Sequence, residues 1–268
     1  MSKLLIKPQE ADREGKIIDI TPESAGWEYV GFQVYSLSKG KTLNKETGKN
    51  EICLVLLSGK ATVKTKEKEF HEIGERMSVF EKIPPYSVYI PNNDSYQVEA
   101  LTDLELAVCA APGKGTYGAR LIGPSDVRVS ERGSGKMSRT IHDILSEDKQ
   151  ADRLLVVEVF TPDGNTSSYP PHKHDQDNLP NESYLEETYY HEINPPQGFA
   201  FQRVYNDDRS LDEAMTVENR NVVLVPEGYH PFTAVPGYEC YYLNVMAGPK
   251  RTWRFQNEKD HEWLFEGV

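Results

Sequence analysis

The chain has 268 residues, a formal net charge of −12 at pH 7, and 38% hydrophobic and 27% charged residues. No apolar run approaches the ~18 residues of a membrane helix, and the acidic charge disfavours nucleic acid as a partner. The N-terminal segment “MSKLLIKPQEADREGK” lacks the apolar region of a signal peptide. Cys53, Cys109 and Cys240 have neither disulfide-framework nor metal-ligand spacing. We therefore predict a cytoplasmic protein that binds neither membranes nor nucleic acid.

Short runs rich in Val, Ile, Tyr and Phe between turn residues predict an all-β chain. The first half contains “EICLVLLSG”, “KATVKT” and “LELAVCAAP”, and the second contains “RLLVVEVFTPDG”, “GFAFQRVY” and “NVVLVPEG”. Between about Pro124 and Lys149 the chain is polar and charged, with a short helix or turn expected near “IHDIL”. Because the runs follow a similar order on both sides, we predict two β-barrel or jelly-roll domains, residues 1–125 and 126–268.

The second half carries residues with the chemistry of metal ligands. His172 and His174 follow two prolines in “SSYPPHKHD”, and alternation with period two points both imidazoles to one side of an extended segment. “LEETYYHE” offers a carboxylate at Glu186 or Glu187, and “VPEGYHPF” places His230 after a Pro-x-Gly turn. Three imidazoles and a carboxylate suit one divalent transition metal with open positions. Zinc is the first choice for this metal, with manganese or iron as alternatives.

The order of these motifs resembles the metal motif of the cupin superfamily, and the duplication resembles a tandem cupin, or bicupin. The segments “FQRVY”, “DDRS”, “MTVEN” and “YYLNVMAGP” further resemble the 5-deoxy-glucuronate isomerase family of bacterial inositol catabolism, over nearly the whole chain. This resemblance implies a metal-dependent aldose-ketose isomerase that converts 5-deoxy-glucuronate into 2-deoxy-5-keto-gluconate. The implied partner is a small sugar acid, and a homo-oligomer is left open.

The carboxylate ligand departs from the usual cupin spacing, because Glu187 lies 13 positions after the second histidine of the pair. We choose Glu187, since it precedes the aromatic strand residues, and keep Glu186 on the opposite face as the alternative. Alternation then points Glu187, Tyr189 and His191 into the barrel together. The first half has Glu51 at a comparable strand start but no His-x-His pair. We therefore predict that the N-terminal domain is metal-free and structural.

Moving a carbonyl between neighbouring carbons requires proton transfer through an enediolate, whose charge a divalent metal stabilises. The candidates for the general acid or base are Tyr189, Glu158, His191 and Tyr242. The candidates for substrate binding are Arg203 and Tyr241. For Arg203, a salt bridge on the outer face is an equally weighted alternative. Arg139 and His142 are expected to be structural or to reach the rim of a barrel. Two other functions stay open, namely a sugar-acid-binding cupin without turnover and a metal-dependent dioxygenase.

Overall fold

The computed structural model describes residues 2–265, which form two compact units. The N-terminal unit contains residues 8–128 and 143–156, whereas the C-terminal unit contains residues 2–7, 129–142 and 157–265. This division differs from a single cut after residue 125. The apolar start of the chain pairs with a strand of the C-terminal unit, Leu5 opposite Val223, because a short apolar segment can cover an otherwise open sheet edge.

Strands make up most of the described elements. In the first half they are β1 (Leu5–Ile6), β2 (Lys16–Ile20), β3 (Gly31–Leu37), β4 (Thr42–Glu46), β5 (Asn50–Ser58), β6 (Ala61–Thr65), β7 (Glu69–Ile73), β8 (Ser87–Ile90), β9 (Ser95–Ala100), β10 (Leu104–Pro112) and β11 (Arg120–Ile122). In the second half they are β12 (Arg128–Arg132), β13 (Arg139–Leu145), β14 (Leu155–Thr161), β15 (Thr166–Ser167), β16 (His172–Lys173), β17 (Glu186–Asn194), β18 (Phe199–Tyr205), β19 (Asp212–Glu218), β20 (Val222–Val225), β21 (Phe232–Ala234), β22 (Glu239–Ala247) and β23 (Gln256–Asn257).

Helical elements are short. The α-helix α1 spans Pro22–Ala25, and 3-10 segments span Val79–Glu81, Pro124–Asp126, Gly135–Met137 and Lys259–Phe265. Thr21 caps α1 by accepting a hydrogen bond from the Ser24 backbone N–H, and Gly26 ends it in the left-handed conformation. Among the described residues, no helix has the length and apolar character needed to span a membrane.

The N-terminal unit is a sandwich of two antiparallel sheets. The larger sheet has the order β11-β8-β5-β10-β3-β2, and the smaller has the order β4-β9-β6-β7. Leu54 and Val108 from the larger sheet meet Val63 and Val98 from the smaller in one buried apolar cluster. Alternating side chains therefore build a core between two sheets, as expected for a jelly roll.

The C-terminal unit repeats this plan. Its larger sheet has the order β1-β20-β17-β22-β14-β13-β12, and its smaller sheet has the order β15-β21-β18-β19. His191 of β17 stacks on Phe232 of β21 with ring centroids 4.9 Å apart, so the two sheets pack face to face. The prediction of an all-β protein with two β-barrel or jelly-roll units is confirmed. Strand β17 lies between β20 and β22 in the larger sheet, which places its inward side chains in the middle of the barrel.

The helix or turn expected near “IHDIL” is wrong. This segment belongs to strand β13 of the larger sheet. Ile141, His142, Asp143, Ile144 and Leu145 are all buried. Five consecutive buried residues match neither the period of an exposed helix nor a strand with one solvated face. The polar residues flanking the segment concealed a fully buried strand.

Candidate metal centre

The His-x-His pair lies at the short strand β16, which pairs with β23 so that His172 is opposite Asn257. The ring centroids of His172 and His174 are 6.4 Å apart. Lys173 between them points elsewhere, because its Nζ is 2.5 Å from Oδ2 of Asp207 and 3.2 Å from Oδ1 of Asp175. The two imidazoles therefore share one side of the extended segment, as their spacing predicts.

His174, Glu187 and His230 bring their ligand atoms into one compact group. One ligand atom from each residue lies within 4.8 Å of the other two. Oε2 of Glu187 is 3.0 Å from Nε2 of His174 and 3.3 Å from Nε2 of His230. Ligand atoms of a single ion with bonds of ~2.0–2.2 Å lie roughly 3 Å apart. The three side chains therefore have the spacing of ligands that share one cation.

Backbone carbonyls orient both imidazoles of this group. Nδ1 of His174 donates to the Leu185 carbonyl at 3.0 Å, and Nδ1 of His230 donates to the Gly228 carbonyl at 2.9 Å. These bonds turn each Nε2 lone pair toward Glu187, the arrangement usual for metal-binding histidines. Nε2 of His230 has no hydrogen-bond partner in the part of the chain that the structure describes. A buried nitrogen without a partner is costly, so the residues fit a divalent transition metal.

His172 lies beside this group but outside it. Its ring centroid is 4.9 Å from that of His230 and 4.6 Å from that of Phe255. A hydrogen bond to the Pro170 backbone also constrains the ring. His172 is therefore adjacent to the candidate metal position, and its role as a further ligand stays a prediction.

The pKa values of the histidines differ with their surroundings. Desolvation lowers the pKa of His230 to about 3, and it lowers the pKa of His172 to about 3 with the charges of His174 and Arg139 acting in the same direction. Burial also acts to lower the pKa of His174, but its hydrogen bond to Glu187 and the charge of that carboxylate outweigh it and raise the pKa. His172 and His230 are thus neutral near pH 7, the form that binds a metal.

The carboxylate of the group is Glu187, the residue chosen from the sequence, whereas Glu186 is buried outside the group. Strand pairing also shows which residue of the N-terminal unit corresponds to Glu187. Glu187 is opposite the last residue of β20, and in the N-terminal unit Ile52 of β5 is opposite the last residue of β8. Glu51 therefore corresponds to Glu186. Its carboxylate accepts hydrogen bonds from the backbone N–H groups of residues 152–154 and serves that unit structurally.

A cavity of about 400 Å³ opens beside Glu187. Its polar wall includes Ser168, Tyr189, Tyr242 and Asn244. The Ser168 and Tyr189 hydroxyls are 2.9 Å apart, and Nδ2 of Asn244 has no hydrogen-bond partner within residues 2–265. Burial, followed by the charge of Glu187, raises the pKa of Tyr189 well above its usual value, so this hydroxyl is protonated at neutral pH. The cavity thus offers hydrogen-bond donors next to the candidate metal ligands.

The structure does not place Glu158 and Tyr241 at this cavity. The Tyr241 hydroxyl donates to Oε2 of Glu158 at 2.9 Å, and Nδ1 of His142 is 2.7 Å from Oε1. Their neighbours Val159 and Tyr242 line the cavity instead. Successive strand residues point to opposite faces, so Glu158 and Tyr241 form a buried cluster on the other face of the sheet. The predicted catalytic role of Glu158 and the predicted substrate contact of Tyr241 are therefore corrected.

Arg203 is also absent from the cavity wall. It lies on the outer face of the smaller sheet and forms a bidentate pair with Asp212, with both N···O distances 2.7 Å. The structure therefore shows Arg203 in the outward salt bridge that was its alternative role, and this corrects the prediction that Arg203 binds substrate.

His191 is fully buried in the barrel, where Nε2 is 3.0 Å from Oε1 of Gln202, and desolvation lowers its pKa to about 3. Its ring centroid is 6.0 Å from that of Tyr189, and it does not line the cavity.

The cavity wall also includes Arg132 and Asn244, for which the sequence predicts no role, and Arg139, which is expected to be structural or to reach the rim of a barrel. Asn244 follows Tyr242 by two residues on β22, so alternation could have found it once Tyr242 was chosen. Arg132 ends β12 and Arg139 begins β13. Nothing local in the sequence connects these polar strand ends to residues more than thirty positions away.

The chain is similar to known proteins over nearly its whole length. It is 67% identical over 266 residues to the 5-deoxy-glucuronate isomerase of Geobacillus thermodenitrificans (strain NG80-2), covering 99% of this chain and 97% of that protein. It is 51% identical to the 5-deoxy-glucuronate isomerase of Bacillus subtilis (strain 168), covering 99% and 100%. The crystal structure of an IolB-like protein from Salmonella typhimurium LT2 matches with a TM-score of 0.95 and 54% identity, covering 98% of this chain and 99% of that one.

A more distant structure shares the cupin fold. The oxalate decarboxylase of Lactobacillus farciminis, solved as a formate complex, matches with a TM-score of 0.69 at 13% identity, covering 99% of this chain and 91% of that one. At that identity the likeness shows the fold alone, and it confirms the predicted fold class. The family model described as KduI/IolB family matches residues 4–264. The chain therefore belongs to the KduI/IolB family.

Proposed function

We propose that this protein is an aldose-ketose isomerase that converts 5-deoxy-glucuronate into 2-deoxy-5-keto-gluconate in inositol catabolism. Relatives that match almost the entire chain carry the name 5-deoxy-glucuronate isomerase. The observation that carries the chemistry is the group of His174, Glu187 and His230 beside a cavity with several hydroxyl groups. A sugar acid is the small-molecule partner that such a cavity suits.

We assign His172, His174, Glu187 and His230 as the ligands of one divalent transition metal, with zinc first and manganese or iron as alternatives. When bound, such a cation polarises a carbonyl and stabilises the negative charge that develops on its oxygen. The backbone carbonyls of Leu185 and Gly228 hold two of the imidazoles in the required tautomer. All four residues belong to the C-terminal unit.

The proton transfers at the substrate oxygens fall to Tyr189 and Tyr242. Burial raises the pKa of both hydroxyls, so each donates a hydrogen bond at neutral pH. The Tyr189 hydroxyl is 2.9 Å from Oγ of Ser168, and hydrogen bonds with Ser167 and Ser168 act on the Tyr242 hydroxyl, so the two serines link the tyrosines in one chain. Such a chain can deliver a proton to the C1 oxygen and accept the proton of the C2 hydroxyl, so the number of protons on the chain is unchanged as the carbonyl changes place. Nδ2 of Asn244, which has no hydrogen-bond partner among the described residues, supplies a further donor that orients the substrate.

We propose a structural role without metal for the N-terminal unit. Ile52 stands where the C-terminal unit has its carboxylate ligand, and it belongs to a cluster of buried apolar side chains. An apolar side chain offers no ligand atom at that position. A homo-oligomeric assembly stays a prediction.

We also place the enzyme in the cytoplasm. Cys53, Cys109 and Cys240 are all buried free thiols. Cys53 and Cys109 are opposite each other on β5 and β10, where neighbouring side chains come close. Unpaired cysteines in such positions are typical of a reducing compartment.

The metal-dependent reaction is tested by chelating the purified protein, restoring Zn²⁺, Mn²⁺ or Fe²⁺, and following 5-deoxy-glucuronate by NMR. We expect no ketose from the chelated protein and ketose formation with at least one of the three metals. Unchanged turnover by protein shown to be metal-free by elemental analysis would contradict the metal dependence. No ketose from any form, with oxygen excluded and then admitted, would contradict the isomerase function.

A further inference from the structure

We propose that Arg132 and Arg139 form the subsite that binds the substrate carboxylate and thereby selects a sugar acid over a neutral sugar. The subsite rests on the proposed function, because the carboxylate is that of a uronate isomerised at the metal centre. Both arginines line the same cavity as His172 and Glu187. They replace Arg203, which is paired on the outer face of the smaller sheet.

The two guanidinium groups lie close enough to affect each other. Partial burial is the main cause that lowers the pKa of Arg139, and the positive charge of Arg132 lowers it further. The cavity wall that contains both arginines also contains His172 and Glu187, so the guanidinium groups stand near the candidate metal centre. Bringing two like charges together in a partly buried wall is unfavourable unless an anion joins them.

Neither guanidinium forms an ion pair with a carboxylate of residues 2–265. Nη1 of Arg139 donates to the Met137 carbonyl at 3.0 Å, and Arg132 lies 6.0 Å from the ring centroid of Trp253. Glu187 is the one carboxylate among the described residues that line the cavity, and it belongs to the metal group. As far as residues 2–265 are concerned, most of the donors of the two guanidinium groups are therefore available to a bound anion.

The loop between the two arginines is shaped around Arg139. Gly133 has a φ of +74°, and a Cβ at this position would lie 2.6 Å from Nη1 of Arg139 and would also meet the Met137 carbonyl. A residue with a side chain would be strained there and would displace the guanidinium. The hydrogen bond to the Met137 carbonyl restrains the Arg139 guanidinium, so that less rotamer entropy is lost when an anion binds.

The substrate has two reactive or charged ends, and they match the two polar regions of the cavity, namely the candidate metal ligands and the pair of arginines. In an open-chain uronate the carboxylate is at the opposite end from the C1 carbonyl. A substrate with its C1 and C2 oxygens at His174, Glu187 and His230 therefore presents its carboxylate to another wall of the cavity. The wall with Arg132 and Arg139 carries the complementary charge, and a planar guanidinium matches a carboxylate with two parallel hydrogen bonds.

The test compares Arg132→Gln and Arg139→Gln with Arg203→Gln as a matched control. For 5-deoxy-glucuronate we expect kcat/KM to fall about 10- to 100-fold in each cavity variant, the loss of a hydrogen bond to a charged group, with most of the change in KM. Turnover of 5-deoxy-glucose, which has a hydroxymethyl group in place of the carboxylate, should be slow and equal in wild type and variants. Arg203→Gln should match the wild type with both sugars.

Metal content and the thermal unfolding midpoint of every variant separate loss of the subsite from loss of the fold. Arg139→Lys keeps the positive charge but lacks the planar set of parallel N–H donors. Its kcat/KM for 5-deoxy-glucuronate should fall between those of the wild type and Arg139→Gln. Wild-type KM values for 5-deoxy-glucuronate in folded, metal-loaded Arg132→Gln and Arg139→Gln would overturn the subsite while leaving the isomerase function intact. An equal loss with 5-deoxy-glucuronate and 5-deoxy-glucose would also overturn it.

Calorimetric titration of metal-loaded protein with 5-deoxy-glucuronate separates the subsite from the proposed function. Binding by the wild type without turnover, lost in Arg139→Gln and kept in Arg203→Gln, would support the subsite although the isomerase function had failed. Neither binding nor turnover by the metal-loaded wild type would overturn both.

Discussion

Nε2 of His174 lies 3.0 Å from Oε2 of Glu187, although Nδ1 of the same imidazole already faces the Leu185 carbonyl at 3.0 Å. A neutral imidazole has one N–H, so it cannot donate at both positions. A second proton or a cation between Nε2 and the carboxylate resolves this. His230 favours the cation, because its Nε2 is 3.3 Å from the same carboxylate oxygen and has no hydrogen bond among the described residues.

The first prediction distinguishes the two neighbouring glutamates. Glu187→Gln should lose most of its bound metal, because an amide oxygen is a weaker ligand than a carboxylate and His174 loses its ionic partner. Glu186→Gln should retain metal, since Glu186 lies outside the ligand group. Elemental analysis of both purified variants measures the difference. Metal retained by Glu187→Gln and lost by Glu186→Gln would reverse the assignment.

A second prediction concerns His172, which lies beside the ligand group rather than within it. If its imidazole completes the set, His172→Ala should lower the affinity for Zn²⁺ at least ~10-fold. His71→Ala provides the control, because His71 is exposed in the N-terminal unit. Competition with a chromophoric chelator measures both affinities. Equal affinities in His172→Ala and the wild type would remove His172 from the set.

The third prediction uses two adjacent tyrosines on opposite faces of β22. Tyr242→Phe should lower kcat by about 10²- to 10⁴-fold, the usual range for a lost proton-transfer group, with little loss of metal. Tyr241→Phe should keep kcat near that of the wild type, because Tyr241 bonds to Glu158 away from the cavity. Steady-state kinetics with 5-deoxy-glucuronate test the pair. Equal losses in both variants would refute the assignment of faces.

The fourth prediction follows from the buried His191. Desolvation lowers its pKa from about 6.5 to about 3 in the folded protein. Between these values the unfolded chain binds a proton that the folded protein does not, so stability falls as pH decreases through this range. In chelator-treated protein, His191→Gln should show a pH dependence of the unfolding free energy that is shallower by about 1.4 kcal/mol per pH unit.

Urea unfolding at several pH values between 4 and 6 measures this slope. The substitution is also expected to lower stability at pH 7, because it removes the ring that stacks on Phe232. The slope and not the absolute stability is therefore the informative quantity. The same slope in His191→Gln and the wild type would show that His191 is protonated in the folded protein.

The sequence predicts the fold and the candidate metal group because both depend on local pattern. Alternation with period two places His172 and His174 on one side, and it places Glu187 on the inward face with Tyr189. It cannot say which face of a strand buried on both sides lines a cavity, and for that reason it does not distinguish Glu158, which bonds to Tyr241, from its cavity-lining neighbour Val159. Arg139 required tertiary structure, because its place beside His172 depends on strand pairing between distant segments.

The same limit explains the unit boundaries. The apolar residues Leu4, Leu5 and Ile6 at the start of the chain indicate a short strand, but nothing local shows that Leu5 pairs with Val223. Residues 143–156 are likewise assigned to the N-terminal unit by their contacts. Composition changes near residue 124 mark the crossing between the two halves, whereas the exchange of segments depends on long-range contacts.

The most direct test of the central claim is the reaction of 5-deoxy-glucuronate in heavy water, followed by NMR, with metal-loaded wild type and the Glu187→Gln variant. We expect the wild type to form 2-deoxy-5-keto-gluconate with deuterium on the carbon that receives the proton, provided that the transferred proton exchanges with solvent. Glu187→Gln should form little product. Ketose formation at the wild-type rate by Glu187→Gln would contradict catalysis at this site, and no ketose from the metal-loaded wild type would contradict the isomerase function itself.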